Sequence, residues 1–267
     1  MHEDEYEHEQ EYEDEDESKT MRNVPALLRR EWNAYFASVL GYVMLMFFLL
    51  VMGVTFGTVL NYLNRGPTQF TAMKIMFSMF WLPSLVIVPM LTMRLLAEEK
   101  RSGTMEMLMT APVTDFEVVL AKWLGAVSLY TLMWALTGLY VVILRRFSSA
   151  TMPLDLGPIF SGYLGVLVIG QFLIAIGLLT SAMTKSQVAA ALMSFAVIFG
   201  LLIVLNWMTF LFSGGPLGTF FRYISAFDQM TDFARGIVDV RPLVLYVSGT
   251  ALALFLTVRV VESRKWR

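Results

Sequence analysis

The residues able to do chemistry in this chain gather in one polar stretch, Glu98-Glu99-Lys100-Arg101-Ser102-Gly103-Thr104-Met105-Glu106-Met107-Leu108-Met109-Thr110-Ala111-Pro112-Val113. An apolar run ends near Leu96 before it, and another starts near Trp123 after it. Gly103 should stop a helix descending from the first run. Thr104 can cap a new short helix, and Glu106 near its start suits the positive end of the macrodipole. Met105, Leu108 and Met109 then share an apolar face, and Pro112 ends the turn. Thr114 with Glu117 three residues later predicts a capping box that opens the next helix. Such a knob either docks in a groove on a soluble partner or lies flat on lipid.

Most other chemistry is excluded by what is missing. There is no cysteine, and the two histidines, His2 and His8, lie at the N-terminus, so thiolate, Ser–His and zinc chemistry have no residues to work with. A Walker A loop needs Gly-Lys followed by Ser or Thr. The lysines follow Ser18, Met73, Glu99, Ala121, Thr184 and Arg264, never a glycine. Any ATP-driven work therefore needs another polypeptide, and the chain is read as no enzyme, with no cofactor or metal of its own. Asp155, Asp228, Asp232 and Asp239 are expected in loops, and apart from Arg94 and Arg259, each two residues from the end of its run, the apolar runs offer Gln171, Asn206 and scattered Ser and Thr, so neither an aspartyl dyad nor an intramembrane proton relay is expected.

These residues are positioned by apolar elements. Of 267 residues, 57% are hydrophobic, above the roughly 45–50% of soluble domains, and the mean hydropathy is +0.61. An all-α integral membrane protein follows. A spanning helix needs about 20 mostly apolar residues, and six runs serve: Val39–Leu60, Met76–Leu96, Trp123–Leu144, Ile159–Ser181, Val188–Phe212 and Leu243–Val261. Pro83 and Pro89 should kink the second. Gly53 and Gly57 match the GxxxG packing motif.

Before the first span, Leu27, Leu28, Trp32, Tyr35, Phe36 and Val39 recur at helical spacing opposite Arg29, Arg30 and Asn33. This predicts an amphipathic interfacial helix over 21–38, followed by a transmembrane domain over 39–267. Between the last two spans, Gly214-Gly215-Pro216 should end the fifth helix. Tyr223, Phe227, Met230, Ala234 and Ile237 then predict one short amphipathic helix, either a cap on the bundle or a lid on a pathway.

Charge sets the orientation. Residues 1–20 carry 11 acids and one base, a self-repelling tail expected to be disordered, or else an extension before a true start at Met21. With both termini cytoplasmic, 13 Lys and Arg fall inside and 7 outside, the bias expected of inner loops, although Arg145-Arg146 opposes it.

Glu99 to Val113 reads E-K-R-S-G-T-M-E-M-L-M-T-A-P-V. This resembles the E-x-x-x-G-T-x-E-x-L-x-x-x-P-V signature of type-2 ABC exporter permeases. Glu99, Gly103, Thr104, Glu106, Leu108 and Pro112 match it, and in that family the loop forms the coupling helix that docks on the ATPase subunit. Met21-Arg22-Asn23 with Arg30-Glu31 is similar to the family's start. Thr184-Lys185-Ser186-Gln187 stands where the family has its second short cytoplasmic loop. Phe227-Asp228-Gln229 through Arg235-Gly236-Ile237-Val238-Asp239, with Glu262-Ser263-Arg264-Lys265-Trp266, resembles the gliding-motility-associated and copper-enzyme-maturation branch.

The resemblance covers 21–267 and implies a multi-pass inner-membrane permease subunit of an ATP-driven exporter. Its expected partners are an ABC ATPase subunit that binds ATP and magnesium, a second permease (identical or related), membrane lipid and an extracytoplasmic accessory protein, with no nucleic acid. The alternative is a non-transporting mechanotransmitter or membrane anchor acting on an outer partner.

Overall fold

The computed structural model describes residues 24–63, 72–103, 114–147, 156–212 and 215–263. The acidic tail, Thr104–Val113, Asp155, Gly214 and Arg264–Trp266 lie outside them. Among the described residues every regular element is helical, and six helices are long and apolar enough to cross a membrane.

Helix α1 covers 24–37 and stops at Ser38, whose hydroxyl accepts the Leu40 N–H at 3.2 Å and so opens α2, Val39–Leu63. Helix α1 and the first span are thus separate elements. The expected second span, Met76–Leu96, is divided. Met76 belongs to a short helix α3, Ala72–Ser78, and the spanning stretch is Trp81–Ser102. It comprises α4 (Trp81–Thr92), a turn, and α5 (Ala97–Ser102). Pro83 falls in the first turn of α4, where a missing N–H costs nothing. The break comes after Pro89 rather than at it, across Met93–Leu96.

The third span is α6 (Asp115–Leu136) continued by α7 (Gly138–Phe147). The fourth is α8, Leu156–Met183, followed after three residues by α9, Gln187–Phe199. Residues Gly200–Val204 form a π-helical turn, in which the Leu205 N–H reaches the Gly200 carbonyl, and α10 (Leu205–Leu211) completes the fifth span. Instead of the one amphipathic helix expected next there are two, α11 (Pro216–Ile224) and α12 (Ala226–Phe233), because the Ser225 side chain caps the second. Asp228 and Asp232 therefore lie on a helix and not in loops. The last span is α13, Val240–Glu262.

Span four is the axis of the bundle: 67% of its apolar stretch is buried, against 22% for span five. Its glycines let neighbours approach. The Tyr130 ring rests on Gly170, and a Cβ at Gly165 would come within 2.7 Å of the Phe233 ring. Phe48, Phe77, Phe80, Tyr130 and Trp134 fill the buried centre, with Phe48 edge-on to Trp134 at 5.3 Å. The GxxxG pair divides: a Cβ at Gly53 would meet the Tyr140 hydroxyl at 3.4 Å, whereas one at Gly57 would meet open space.

Candidate functional site

The polar loop leaves the bundle at Gly103 and returns at Thr114. Both ends are built by local chemistry. Gly103 has φ +72°, the left-handed conformation that ends a helix and that side-chain-bearing residues adopt at a cost. At the return, the Thr114 N–H donates to Glu117 Oε2 at 2.6 Å, and the Glu117 N–H donates to Thr114 Oγ1 at 3.2 Å. The predicted capping box is present in full, and Glu117 is 1% exposed.

Beneath those ends lies a buried cluster of charges. Lys122 Nζ is 2.8 Å from Glu99 Oε1 and 3.0 Å from Glu31 Oε1, and Arg30 reaches the same Glu99 oxygen at 3.0 Å. The Lys122 side chain is 5% exposed, Glu99 12% and Glu31 14%, while Arg30 is half exposed. Two cations and two anions make the cluster neutral, which lets it be buried at this depth. Lys122 lies seven residues into α6, or ~10 Å along the helix axis from Asp115. Helix α1 is therefore fastened to both spans that carry the polar loop. Trp32 Nε1–H adds a 2.6 Å bond to Ser128 Oγ, and Glu31 packs so closely on Gly125 that a Cβ there would come within 3.0 Å.

A second fastening joins the outgoing arm to span four. Buried Ser181 accepts the N–H groups of Leu96 (3.2 Å) and Ala97 (3.1 Å), the donors that the break in span two sets loose. Lys100 Nζ donates to the Ala182 carbonyl at the end of α8, where a cation meets the negative end of the helix. A cavity of about 380 Å³ opens beside the cluster, lined by Arg30, Tyr35, Ser38, Arg94 and Glu98 among others. Burial pushes the Tyr35 phenol up, with the Glu31 charge adding to it, so it stays protonated.

Of the residues singled out in the sequence, the structure brings Glu99 and Gly103 together at the outgoing end. Glu99 is held inside by Lys122 and Arg30. Thr104, Glu106, Leu108 and Pro112 lie outside the described residues. Sequence reasoning passed over Lys122 and Glu31 as a pair, and placed no acidic group within the spans. Starting the third span at Trp123 excluded Lys122 by one residue; the helix in fact begins at Asp115 and carries both Glu117 and Lys122. A lysine inside Val118-Val119-Leu120-Ala121-Lys122-Trp123-Leu124 was the available signal.

The family model described as ABC-2 family transporter protein matches residues 72–261. The chain belongs to the ABC-2 transporter family. Comparison with curated proteins gives no match. The match runs from α3 through span six and takes in Glu99, Gly103, Thr114 and Lys122. An ABC-2 permease is a membrane transport component that works with an ABC ATPase subunit and is not itself the catalyst. In this ABC-2 chain the clamp around Lys122 gathers α1, span two and span three at one membrane face, and Ser181 with Lys100 adds span four.

Proposed function

We propose that the chain is the permease subunit of an ATP-driven exporter, in which a separate ATPase docks on the 104–113 segment and its ATP-driven closure rearranges the spans. The observation that supports this best is the Glu31–Lys122–Glu99 cluster. A push on a loop held at Gly103 and Thr114 is passed to three elements at once, because buried charges with fixed partners resist independent movement. Mechanical coupling of this kind needs stiff contacts and no catalytic group. The face carrying the loop is then cytoplasmic, with both termini, in the inner membrane. Two permease subunits, identical or related, enclose the pathway, and the ATPase pair binds ATP and magnesium. The resemblance of Phe227–Asp239 supports the gliding-motility and copper-enzyme-maturation branch.

The test is co-purification of the tagged chain from gently solubilised membranes. A stoichiometric ATPase is expected with the wild type, and its loss with Glu106→Lys while membrane insertion is intact. Normal ATPase recovery and normal transport in that variant would overturn the coupling assignment. ATP hydrolysis that no cargo stimulates would favour the anchor alternative instead.

A further inference from the structure

The membrane face opposite the polar loop holds the larger cavity, about 830 Å³, within the usual range for small-ligand pockets, about 300–1,000 Å³. Its walls are the far end of span five, α11, α12 and the start of span six. The π-helical turn at Gly200–Val204 precedes the wall of span five. Such an inserted residue rotates everything beyond it by about a quarter turn, and Asn206, Thr209 and Phe210 line the cavity.

The opposite wall is fixed. Tyr246 Oη donates to Gln229 Oε1, and Gln229 Nε2 donates to the Tyr223 carbonyl at 2.6 Å, which ties α12 to span six and to α11. Ser161 Oγ donates to the Phe233 carbonyl at 2.6 Å, tying α12 to span four.

Two kinds of charge line this rigid cavity. Arg235 stands 3.7 Å from Asp232, and Asp239 caps the Arg241 N–H at 3.1 Å. Asp228 differs: it lines the cavity with no ion-pair partner among the described residues, and its Oδ2 has no hydrogen-bond partner there, so its carboxylate is open to a cationic ligand group. Arg222, at the last turn of α11, projects an exposed guanidinium into the same cavity. A ligand satisfying both carries an amine and an anion. The rim adds an apolar requirement. Trp207 is 70% and Phe210 83% exposed at the end of a membrane span, the depth at which tryptophan meets the headgroup layer.

We propose that this cavity binds the headgroup of a zwitterionic amphiphile such as a phosphatidylethanolamine, its amine on Asp228, its phosphate on Arg222, and its chains along Trp207 and Phe210. The inference goes beyond the exporter reading and needs only the membrane location.

The experiment is native mass spectrometry of the purified full chain, released from micelles containing equal amounts of phosphatidylethanolamine and phosphatidylglycerol. The zwitterionic lipid should be retained preferentially. Asp228→Asn should cut that preference roughly tenfold, the value of one charge-assisted contact. Arg222→Ala, a change at an exposed position that leaves the fold alone, should lower retention of the zwitterionic lipid by a similar factor. Equal retention of the two lipids by the wild type, or unchanged retention in folded variants, overturns the proposal. Full displacement by soluble glycerophosphoethanolamine would overturn the amphiphile in favour of a free zwitterion. A wild-type chain that recovers its ATPase yet shows no lipid preference would leave the exporter reading standing and remove this one.

Discussion

Lys122 Nζ lies 2.8 Å from Glu99 Oε1, so the helix leaving the polar loop and the helix entering it are joined by one buried ion pair. Glu31 completes the lysine's coordination from a third helix at 3.0 Å. Removing the lysine would leave two largely buried carboxylates side by side. Lys122→Met should therefore destabilise the detergent-solubilised protein by about 3–5 kcal/mol, the cost of stranding a buried charge. Arg30→Ala should cost under about 1 kcal/mol, because that guanidinium is half exposed. Thermal unfolding of both variants checks the ordering, and equal melting temperatures would refute a buried role for Lys122.

Gly103 offers a sharper test of the outgoing end. At φ +72° a β-branched residue is strained by about 1–2 kcal/mol, whereas asparagine tolerates the left-handed region. Gly103→Val should weaken ATPase recovery and Gly103→Asn should preserve it. Equal recovery would show that the direction in which the chain leaves α5 has no bearing on docking.

At the returning end, Thr114→Ala removes the oxygen that accepts the Glu117 N–H. A loss of about 1 kcal/mol is expected, and Thr114→Ser should restore it. Hydrogen exchange at the first turn of α6 reads the effect directly: faster exchange in the alanine variant alone is the expected pattern.

Ser181 holds two backbone donors from another span. Ser181→Ala should leave the Leu96 and Ala97 N–H groups unpaired in a buried place, a penalty of about 1–3 kcal/mol. The change should speed proteolysis within 93–101 specifically. Uniform loosening of the whole bundle would instead point to a packing defect around span four.

Local devices were legible in the sequence and distant ones were not. Gly103, the Thr114–Glu117 box and the stop at Ser38 depend on neighbours within four residues, so the residue types alone carry them. The six apolar runs were visible for the same reason, with ends that moved by up to eight residues. Lys122 meets Glu31 across 91 positions, and Ser181 meets Ala97 across 84, so no local pattern announces either. The π-helical turn in Gly200-Leu201-Leu202-Ile203-Val204 carries no compositional mark. Ser225 was a missed local signal: a serine three residues before Asp228 is a helix cap, and it divides what read as one helix.

The contact between Glu31 and Lys122 also sets an order of events during synthesis. Helix α1 is translated before any span, yet the lysine that anchors it follows 91 residues later. Until α6 has entered the bilayer, Glu31 has only water and lipid headgroups to face. Helix α1 is thus made before both spans that hold it, and its docking reports that span three has arrived in register with span two.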